Sequence, residues 1–454
     1  METIIIIVFV LGYLAITLEH NLKIDKLIPA LGMMSLLWAI IALTHMPVFE
    51  IIPGIGKESH HLEGVLLHHL GKTAEILVFL LGAMTIVEII DYFDGFATIK
   101  GYIKTKKKKK LLWIVSSLAF VLSAIIDNLT ATIVLITILQ KLIKERELRL
   151  WFAGIIIISA NAGGAWSPIG DVTTTMLWIA NKVTAAVLIE HVLVPSLFCY
   201  AIPTFLASRM KIFKGSVETD ASDNNKPKSK YAGTMFYLGL GAIIFVPLFK
   251  SVTHLPPYMG MMLSLAFVAA CAEIYSSAKF NITTIDGGES QAASRHSPVH
   301  HSLSKIELPS ILFFLGILMA VAALESLGML FDFAGVLNNS VPRLGTELNS
   351  TLISDFVVLL LGVGSAVIDN VPLVAASIGM FQIGIDEPAW HFIAYSAGTG
   401  GSMLIIGSAA GVVAMGMEKI DFFWYLKNIA WLALVGFLSG AVVFVLIRNF
   451  ILNV

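Results

Sequence analysis

Charged residues are scarce in this 454-residue chain, at 13% of the sequence, whereas soluble globular domains carry about 25%. Hydrophobic residues make up 57% of it. Apolar runs about 20 residues long recur along the chain, which is the length that a helix needs to cross a bilayer. This composition excludes a soluble globular protein and predicts a polytopic membrane protein of the all-α class, whose main partner is the lipid bilayer.

Other common signals are also missing. The formal net charge of -1 gives no reason to expect a nucleic-acid partner. Cys199 and Cys271 both lie in apolar runs and are too few for a disulfide framework or a cysteine-rich metal site. No phosphate-binding loop and no nucleophile-base arrangement appears, so we expect no enzyme and no cofactor. The N-terminus lacks a basic leader and a small-residue cleavage site, which predicts a retained first span.

The most informative feature is a polar pair that interrupts two long apolar runs. Asp127-Asn128 lies in Ser-Ala-Ile-Ile-Asp-Asn-Leu-Thr, and Asp369-Asn370 lies in Ser-Ala-Val-Ile-Asp-Asn-Val-Pro. Even lenient insertion scales assign a cost of about 2.5–3.5 kcal/mol to a carboxylate at the membrane centre. A costly group that occurs twice in the same setting predicts a binding site.

In the first half, residues 1–210, apolar runs predict spans near 2–19, 26–44, 72–91 and 185–208. The segment 111–145 is apolar but contains Asp127-Asn128, and basic residues flank it on both sides, with Lys104 to Lys110 before it and Lys141, Lys144, Arg146 and Arg149 at its end. Basic loops stay in the cytoplasm. A re-entrant helical hairpin, unlike a single crossing, keeps both flanks there.

After the hairpin, Gly163, Gly164 and Pro168 interrupt the segment 151–179 and predict a broken helix. Freed backbone groups at membrane depth are tolerated only where protein or a water-filled cavity covers them. The polar stretch 211–230 then predicts a cytoplasmic linker.

The second half, residues 231–454, repeats this order. Spans are predicted near 231–250, 257–276, 308–328 and 424–447, a hairpin at 352–383, and a broken helix at 390–416 with Gly400 and Gly401 at its break. The flanks of this hairpin carry no basic excess, so we expect it to enter from outside. Five crossings and one hairpin per half require the halves to be inverted. An inverted repeat with broken helices at the midplane is typical of secondary transporters.

These interruptions bring short polar side chains, helix ends and backbone carbonyls together, and such oxygens suit a hard cation. Asp127 and Asp369 are predicted to hold Na⁺ and also to accept protons, so that the two compete. Asp171 is a third candidate, and its repeat partner is Ser408. The candidate neutral ligands are Asn128, Asn370, Ser123, Thr130, Ser159, Asn161, Ser365, Ser396, Thr399 and Ser402.

Each of these residues also has a structural interpretation. Asp and Asn are good helix caps, so the tip residues could cap the second helix of each hairpin, and Asp171 a helix beginning at Val172. The hydroxyl groups could serve as interhelical contacts. Glu75 and Glu88 could relay protons or lie at an interface. His60, His61, His68 and His69, and likewise His296, His300 and His301, are interpreted as solvated loop residues, with a pH sensor as the alternative.

Four motifs carry a family resemblance: the two Asp-Asn segments, Asn161-Ala-Gly-Gly-Ala-Trp-Ser-Pro-Ile-Gly-Asp171, and Gly398-Thr-Gly-Gly-Ser402. They resemble the NhaD-type sodium/proton antiporters of the ion transporter superfamily. The resemblance covers nearly all of the membrane portion. It implies two inverted repeats that form a scaffold and a moving transport unit, assembled as a homodimer in the bacterial inner membrane.

By the same resemblance, the activity would be efflux of sodium or lithium in exchange for protons at alkaline pH. The alternative within the superfamily is a sodium-coupled dicarboxylate symporter or an arsenite efflux permease. Superfamily symporters carry Ser-Asn-Thr at their hairpin tips, whereas these tips contain Ile-Asp-Asn. A channel that uses the same hairpins as a selectivity filter is an alternative from another class.

Overall fold

The computed structural model describes residues 1–17, 19–52, 56–100, 103, 105–217, 231–283, 297–306, 308–340 and 353–450. Almost all regular structure in these ranges is helical, and eight of the described helices are long and apolar enough to span a membrane. The predicted class is confirmed. The first half contains α1 (Glu2–Thr17), α2 (Glu19–Leu22), α3 (Leu27–Leu43), β1 (Val48–Ile52), β2 (Gly56–His60), α4 (Leu62–Tyr92), α5 (Ala97–Lys100), α6 (Lys108–Ile126), α7 (Asn128–Leu142), α8 (Arg146–Ala165), α9 (Val172–Ile179) and α10 (Ala185–Arg209).

The second half follows a short 3-10 turn at Lys211–Phe213, and most of the predicted linker, 218–230, lies outside the described residues. Its helices are α11 (Ala232–Thr253), α12 (Pro257–Thr283), α13 (Pro298–Lys305), α14 (Leu308–Ser326), α15 (Met329–Ser340), α16 (Asp355–Gly364), α17 (Asn370–Met380), α18 (Pro388–Gly400), α19 (Ala409–Glu418), α20 (Phe422–Asn428) and α21 (Ala430–Phe450).

Several local features differ from the sequence prediction, among them the short helices α13 and α15, which were not predicted. The antiparallel β1–β2 hairpin was not predicted. Helix α4 begins at Leu62, ten residues before the predicted span, because its first turns carry polar residues that hydropathy treats as loop; His68 and His69 therefore lie on a helix. The predicted last span is divided at Ile429 into α20 and α21.

Helices α6 and α7 form the first re-entrant hairpin. The Lys108 ammonium at the start of α6 lies 3.0 Å from the Glu145 carboxylate, which follows the end of α7. Both ends of the hairpin therefore lie on one face of the protein, and Asp127 between the two helices is the tip. The same face carries the basic clusters, so the positive-inside rule assigns it to the cytoplasm.

The second hairpin, α16 and α17, enters from the opposite face. Helices α8 and α9 lead away from the base of the first hairpin. In the loop after α9, the Lys182 carbonyl accepts a hydrogen bond from the Asp386 amide at 2.9 Å. Asp386 also accepts from the Thr184 amide at 2.6 Å. Because Asp386 follows α17, the base of the second hairpin lies beyond the far end of α9. The two halves are thus inverted.

A buried ion pair fixes the base of the second hairpin. Arg448 in α21 donates to both carboxylate oxygens of Asp355 in α16, at 2.7 and 2.6 Å. Both side chains are almost fully buried. Loss of one partner from such a pair costs about 3–5 kcal/mol, because the other charge is left buried and uncompensated. The last helix therefore ends at the face from which this hairpin enters.

Helices α8 and α18 form the centre of the molecule. Every residue of α18 is buried, as is nearly all of α8 from Phe152 onward. In contrast, α1, α11, α12 and α21 expose large apolar side chains along one side. Such exposure suits contact with lipid, and the central pair is the place where polar groups are shielded from it.

The hairpin arrangement predicts the outcome of cysteine labelling from one side of the membrane. Single cysteines at the exposed positions Lys109 and Lys144 should both react with an impermeant maleimide in everted vesicles and not in intact cells, because both lie at the base of the first hairpin. A cysteine at exposed Ile385 should show the reverse pattern. The background chain has both native cysteines replaced by alanine. Reaction of Lys109→Cys and Lys144→Cys from opposite sides would mean that the segment crosses the membrane once.

Candidate ion-binding site

Four helices begin near the middle of the protein, and each has a short polar residue at its N-cap position. These residues are Asp127 before α7, Asp171 before α9, Asp369 before α17 and Ser408 before α19. A helix N-terminus carries a partial positive charge that favours a nearby carboxylate. The two hairpin tips and the two broken helices thus supply three acids and one hydroxyl in equivalent positions.

Asp171 is the residue at which the two repeats meet. Its Oδ1 accepts a hydrogen bond from the Asn128 amide at 3.2 Å, and its Oδ2 accepts one from the Asn370 amide at 3.1 Å. Asn128 and Asn370 occupy equivalent places in the two Asp-Asn motifs. The side chain of Asp171 is buried and makes no capping hydrogen bond to the backbone of α9. The Thr173 hydroxyl donates a further bond to Oδ2, at 2.5 Å.

Asn161 connects the first hairpin to the broken helix of the other repeat. Its Oδ1 accepts from the Asn128 amide at 3.0 Å, and its own amide donates to the Ser402 and Ser408 hydroxyls, both at 2.9 Å. The residue equivalent to Asn161 is Gly398, and a Cβ there would lie 3.7 Å from Asp171 Oδ2. The centre is therefore asymmetric although the backbone around it is duplicated.

Three of the predicted hydroxyl ligands donate hydrogen bonds to backbone carbonyls. The Ser123 hydroxyl donates to the Ala160 carbonyl at 2.5 Å, and the equivalent Ser365 donates to Ala397 at 2.9 Å. Thr399 donates to a carbonyl of its own helix. The structure thus assigns interhelical or local contacts to these three residues. The hydroxyls of Ser159 and Ser396, also equivalent, are buried and make no hydrogen bond with the described residues.

The carboxylates of the two tips have different surroundings. Asp127 caps α7, with 2.7 Å to the Thr130 amide and 3.0 Å to its hydroxyl, in a backbone conformation (φ 78°, ψ 160°) that is strained for any residue except glycine. Asp369 accepts from the Val371 amide at a longer 3.5 Å, and its Oδ2 also lies 3.5 Å from the Lys26 ammonium. The two hairpin tips therefore contact Asp171 through their asparagines, Asn128 and Asn370.

Asp369 faces a cavity that continues to the connection between α1 and α3. Tyr13, Glu19 and Lys26 line it together with apolar residues of α14, α17 and α19. Lys26 precedes α3, and its ammonium lies 4.5 Å from the centroid of the Phe313 ring near the start of α14. His301 in α13, the helix before α14, packs against Tyr92. Tyr92 lies at the end of α4 that leads into the basic loop. The cavity therefore approaches Asp369 from the cytoplasmic face.

Comparison with known proteins agrees with this architecture. The family model described as "Citrate transporter" (CitMHS) matches residues 4–391. The chain is 39% identical over 451 residues to "Sodium/proton antiporter 1" of Arabidopsis thaliana, covering 98% of this chain and 72% of that protein. It is 33% identical over 397 residues to "Na(+)/H(+) antiporter NhaD" of Vibrio parahaemolyticus, covering 83% and 92%. The chain belongs to the NhaD-type sodium/proton antiporters within the citrate-transporter family.

A solved structure supports the fold of this antiporter-family chain. The YdaH transporter of Alcanivorax borkumensis superimposes with a TM-score of 0.54 over 93% of this chain and 97% of that one, at 13% sequence identity. At that identity the likeness concerns the fold alone, and it agrees with a multi-pass helical membrane architecture.

Sequence analysis missed two residues of the site. Thr173 was overlooked because a threonine inside a short apolar helix has no distinctive pattern, and Lys26 because it is 343 positions from Asp369 and looks like an ordinary flanking lysine. Of the other candidates, Glu75 and Glu88 are half-buried on α4. His60 ends β2, His300 and His301 lie on α13, and His296 lies outside the described residues.

Glycines allow the hairpins to contact the broken helices. A Cβ on Gly163 would overlap the carbonyl group of Phe120 in the first hairpin, and one on the equivalent Gly400 would overlap that of Gly362 in the second. A Cβ on Gly164 would lie 2.6 Å from the Gly170 carbonyl oxygen, within the break of the first broken helix. A Cβ on Gly401 would lie at the same distance from the Gly407 carbonyl oxygen in the second. Pro168 accepts a bond at its carbonyl from the Thr175 hydroxyl, at 3.0 Å. The glycines are required by backbone contact on both sides of the site.

We therefore expect Gly163→Ala and Gly400→Ala to reduce the yield of folded protein strongly, because the obstructing atoms belong to backbone and have no rotamer to change. Gly416→Ala is the matched control, since nothing lies within 4 Å of a Cβ at that helical position. The control should be neutral, or more stable by up to about 1 kcal/mol, because alanine favours a helix. Thermal unfolding in detergent measures all three. Equal melting temperatures for Gly400→Ala and Gly416→Ala would contradict the close approach.

Proposed function

We propose that this protein exchanges cytoplasmic Na⁺ or Li⁺ for external protons, and that cation and protons compete for Asp171 with Asp127 and Asp369. The observation that carries the proposal is the buried Asp171 carboxylate, held by Asn128 from one hairpin and Asn370 from the other. An ionisable side chain inside a membrane is costly and is retained where it serves transport. The names of the antiporter relatives support the same activity.

Competition follows from the chemistry of the site. Burial disfavours the charged form of a carboxyl group and so favours a bound proton, whereas a bound cation favours the carboxylate. The groups around Asp171 can satisfy either state, because amides and hydroxyls carry oxygens as well as donors. A hard cation would find oxygens in the carboxylates, the Thr130 and Thr173 hydroxyls and the backbone at the hairpin tips. One set of oxygens that holds either protons or a cation performs exchange.

The setting of the protein is part of the proposal. We place it in a membrane that carries a proton gradient, which the sequence prediction gives as the bacterial inner membrane. The NhaD relative comes from Vibrio parahaemolyticus, which agrees with a bacterial membrane. The more similar relative comes from Arabidopsis thaliana, so a plant membrane is the second candidate. Protons and the transported cation would be its only small ligands, with no cofactor. We also propose that the protein forms a homodimer, as the family resemblance implies.

Sodium-coupled anion uptake is the second candidate, and the description of the matching family model favours it. The site itself argues against it. An organic anion needs positive groups or free donors, but three of the four N-cap residues at the described site are acids, and Lys26 is already paired with Asp369. Citrate added to proteoliposomes should therefore leave sodium uptake unchanged, and citrate-stimulated sodium uptake would favour the anion function.

The proposal predicts that Asp171→Asn abolishes sodium-dependent proton movement. The amide cannot release a proton or supply the negative charge that a cation needs. Asp127→Asn and Asp369→Asn should reduce the activity as well, since each removes one carboxylate at a tip. The measurement is recovery of the proton gradient in everted vesicles after addition of sodium, lithium or potassium over a range of pH. We expect a response to sodium in the unmodified chain and none in Asp171→Asn.

Asp94→Asn is the matched control, because Asp94 is exposed and its left-handed backbone (φ 56°) also suits asparagine. It should retain the response of the unmodified chain. Full activity of Asp171→Asn at normal protein levels would exclude Asp171 from the exchange site. Absence of any cation response in the unmodified chain would overturn the proposed function itself.

A further inference from the structure

A lysine approaches one of the two hairpin tips from the cytoplasmic side. The Lys26 ammonium lies 3.5 Å from Asp369 Oδ2 within the cavity that leads to this tip. The exposed fraction of the side chain is 24% for Lys26 and 16% for Asp369, so both charges are partly withdrawn from water. Interaction between such charges is stronger than between pairs on an open surface. The pair is thus part of the site and not a surface contact.

A second contact fixes the position of the ammonium. It lies over the Phe313 ring, 4.5 Å from the centroid, and a cation over an aromatic face is attracted to it. Lys26 itself stands at the N-cap position of α3, where the partial positive charge of the helix end makes a lysine unfavourable. The Phe313 ring and the Asp369 carboxylate together hold the ammonium in place, although its position at the start of α3 disfavours a positive charge.

We propose that Lys26 is a tethered cation that neutralises Asp369 until sodium from the cytoplasm displaces it. This inference rests on the proposed function and adds a residue that sets its cation affinity. A lysine ammonium and a bound sodium ion each supply one positive charge to the carboxylate, so they compete for it. When sodium arrives, the ammonium can move along the cavity toward Glu19, which lines the same space.

The two tip carboxylates differ in their bonds to their own hairpins. At the equivalent tip, the described contacts of Asp127 are with the amide and hydroxyl of Thr130, on its own hairpin. Asp369 accepts the longer bond from the Val371 amide of its own hairpin, at 3.5 Å. The charge of Lys26, at the start of another helix, α3, thus reaches a tip whose internal cap is long.

The test is the sodium concentration that gives half-maximal exchange, measured in everted vesicles for the unmodified chain and Lys26→Gln. Removal of the competing ammonium should lower that concentration several-fold. Lys23→Gln is the matched control, because Lys23 is exposed in the same α1–α3 connection and faces no site residue among the described contacts. It should behave as the unmodified chain. An unchanged half-maximal concentration in Lys26→Gln would overturn the inference.

Two further measurements separate this inference from neighbouring explanations. In an Asp369→Asn background, Lys26→Gln should have no additional effect on the half-maximal sodium concentration, since the group for which it competes is gone; an equal shift in both backgrounds would contradict competition at Asp369. If the unmodified chain shows no sodium response, the proposed function fails before Lys26 is tested.

The second measurement needs no variant of the site and therefore does not depend on how well Lys26→Gln folds. Purified unmodified protein is treated with an amine-reactive label in sodium chloride or in choline chloride at equal ionic strength, and labelling is located by mass spectrometry. Sodium should raise labelling of Lys26 at least two-fold and leave that of Lys23 unchanged. Equal labelling of Lys26 in the two salts would contradict displacement of the ammonium.

Discussion

The structure depends on one constraint, which is that four helices are interrupted inside the membrane. Each interruption frees backbone amides and carbonyls, and at this depth no bulk water is present to satisfy them. Side chains at three of the N-cap positions, Asp127, Asp369 and Ser408, accept hydrogen bonds from freed amides, and the fourth N-cap residue is Asp171. The acids that can bind ions therefore lie where the broken backbone requires polar groups. At Asp127 and Asp369, capping and ion binding are therefore compatible, because both need a carboxylate at the same location.

Duplication gives the scaffold, and departures from it give a single site. Equivalent serines, Ser123 and Ser365, join each hairpin to its broken helix, and equivalent glycines allow the same close backbone approach. Exact symmetry would place two equal sites side by side. Instead Asp171 has Ser408 as its counterpart, and both hairpin asparagines bond to Asp171. The buried Asp171 carboxylate thus contacts both hairpins, whereas exact duplication would have given each hairpin its own carboxylate.

The sequence predicted the parts of this arrangement that depend on local pattern. The basic flanks of residues 111–145 were sufficient for a re-entrant hairpin, and glycines located both broken helices. Two kinds of feature were beyond it. The start of α4 was missed because half-buried polar residues lower its hydropathy. The central place of Asp171 and the pairing of Lys26 with Asp369 depend on how distant helices pack, and periodicity along one segment carries no such information.

The contacts also indicate which parts of the protein move together. Asp171, Asn128, Asn161, Ser402 and Asn370 belong to both hairpins and both broken helices, yet they form one continuous set of buried hydrogen bonds. Bonds to a charged group contribute about 1.5–3 kcal/mol each, so a motion that separated these elements would lose several of them at once. It is less costly for the four elements to move as one body against α1, α3 and α14. The Lys26–Asp369 pair crosses that boundary, with the lysine on the α3 side and the aspartate on the hairpin. A cation that released this pair would act at that boundary, so its binding and any motion of the four elements against α1, α3 and α14 would be coupled through the same contact.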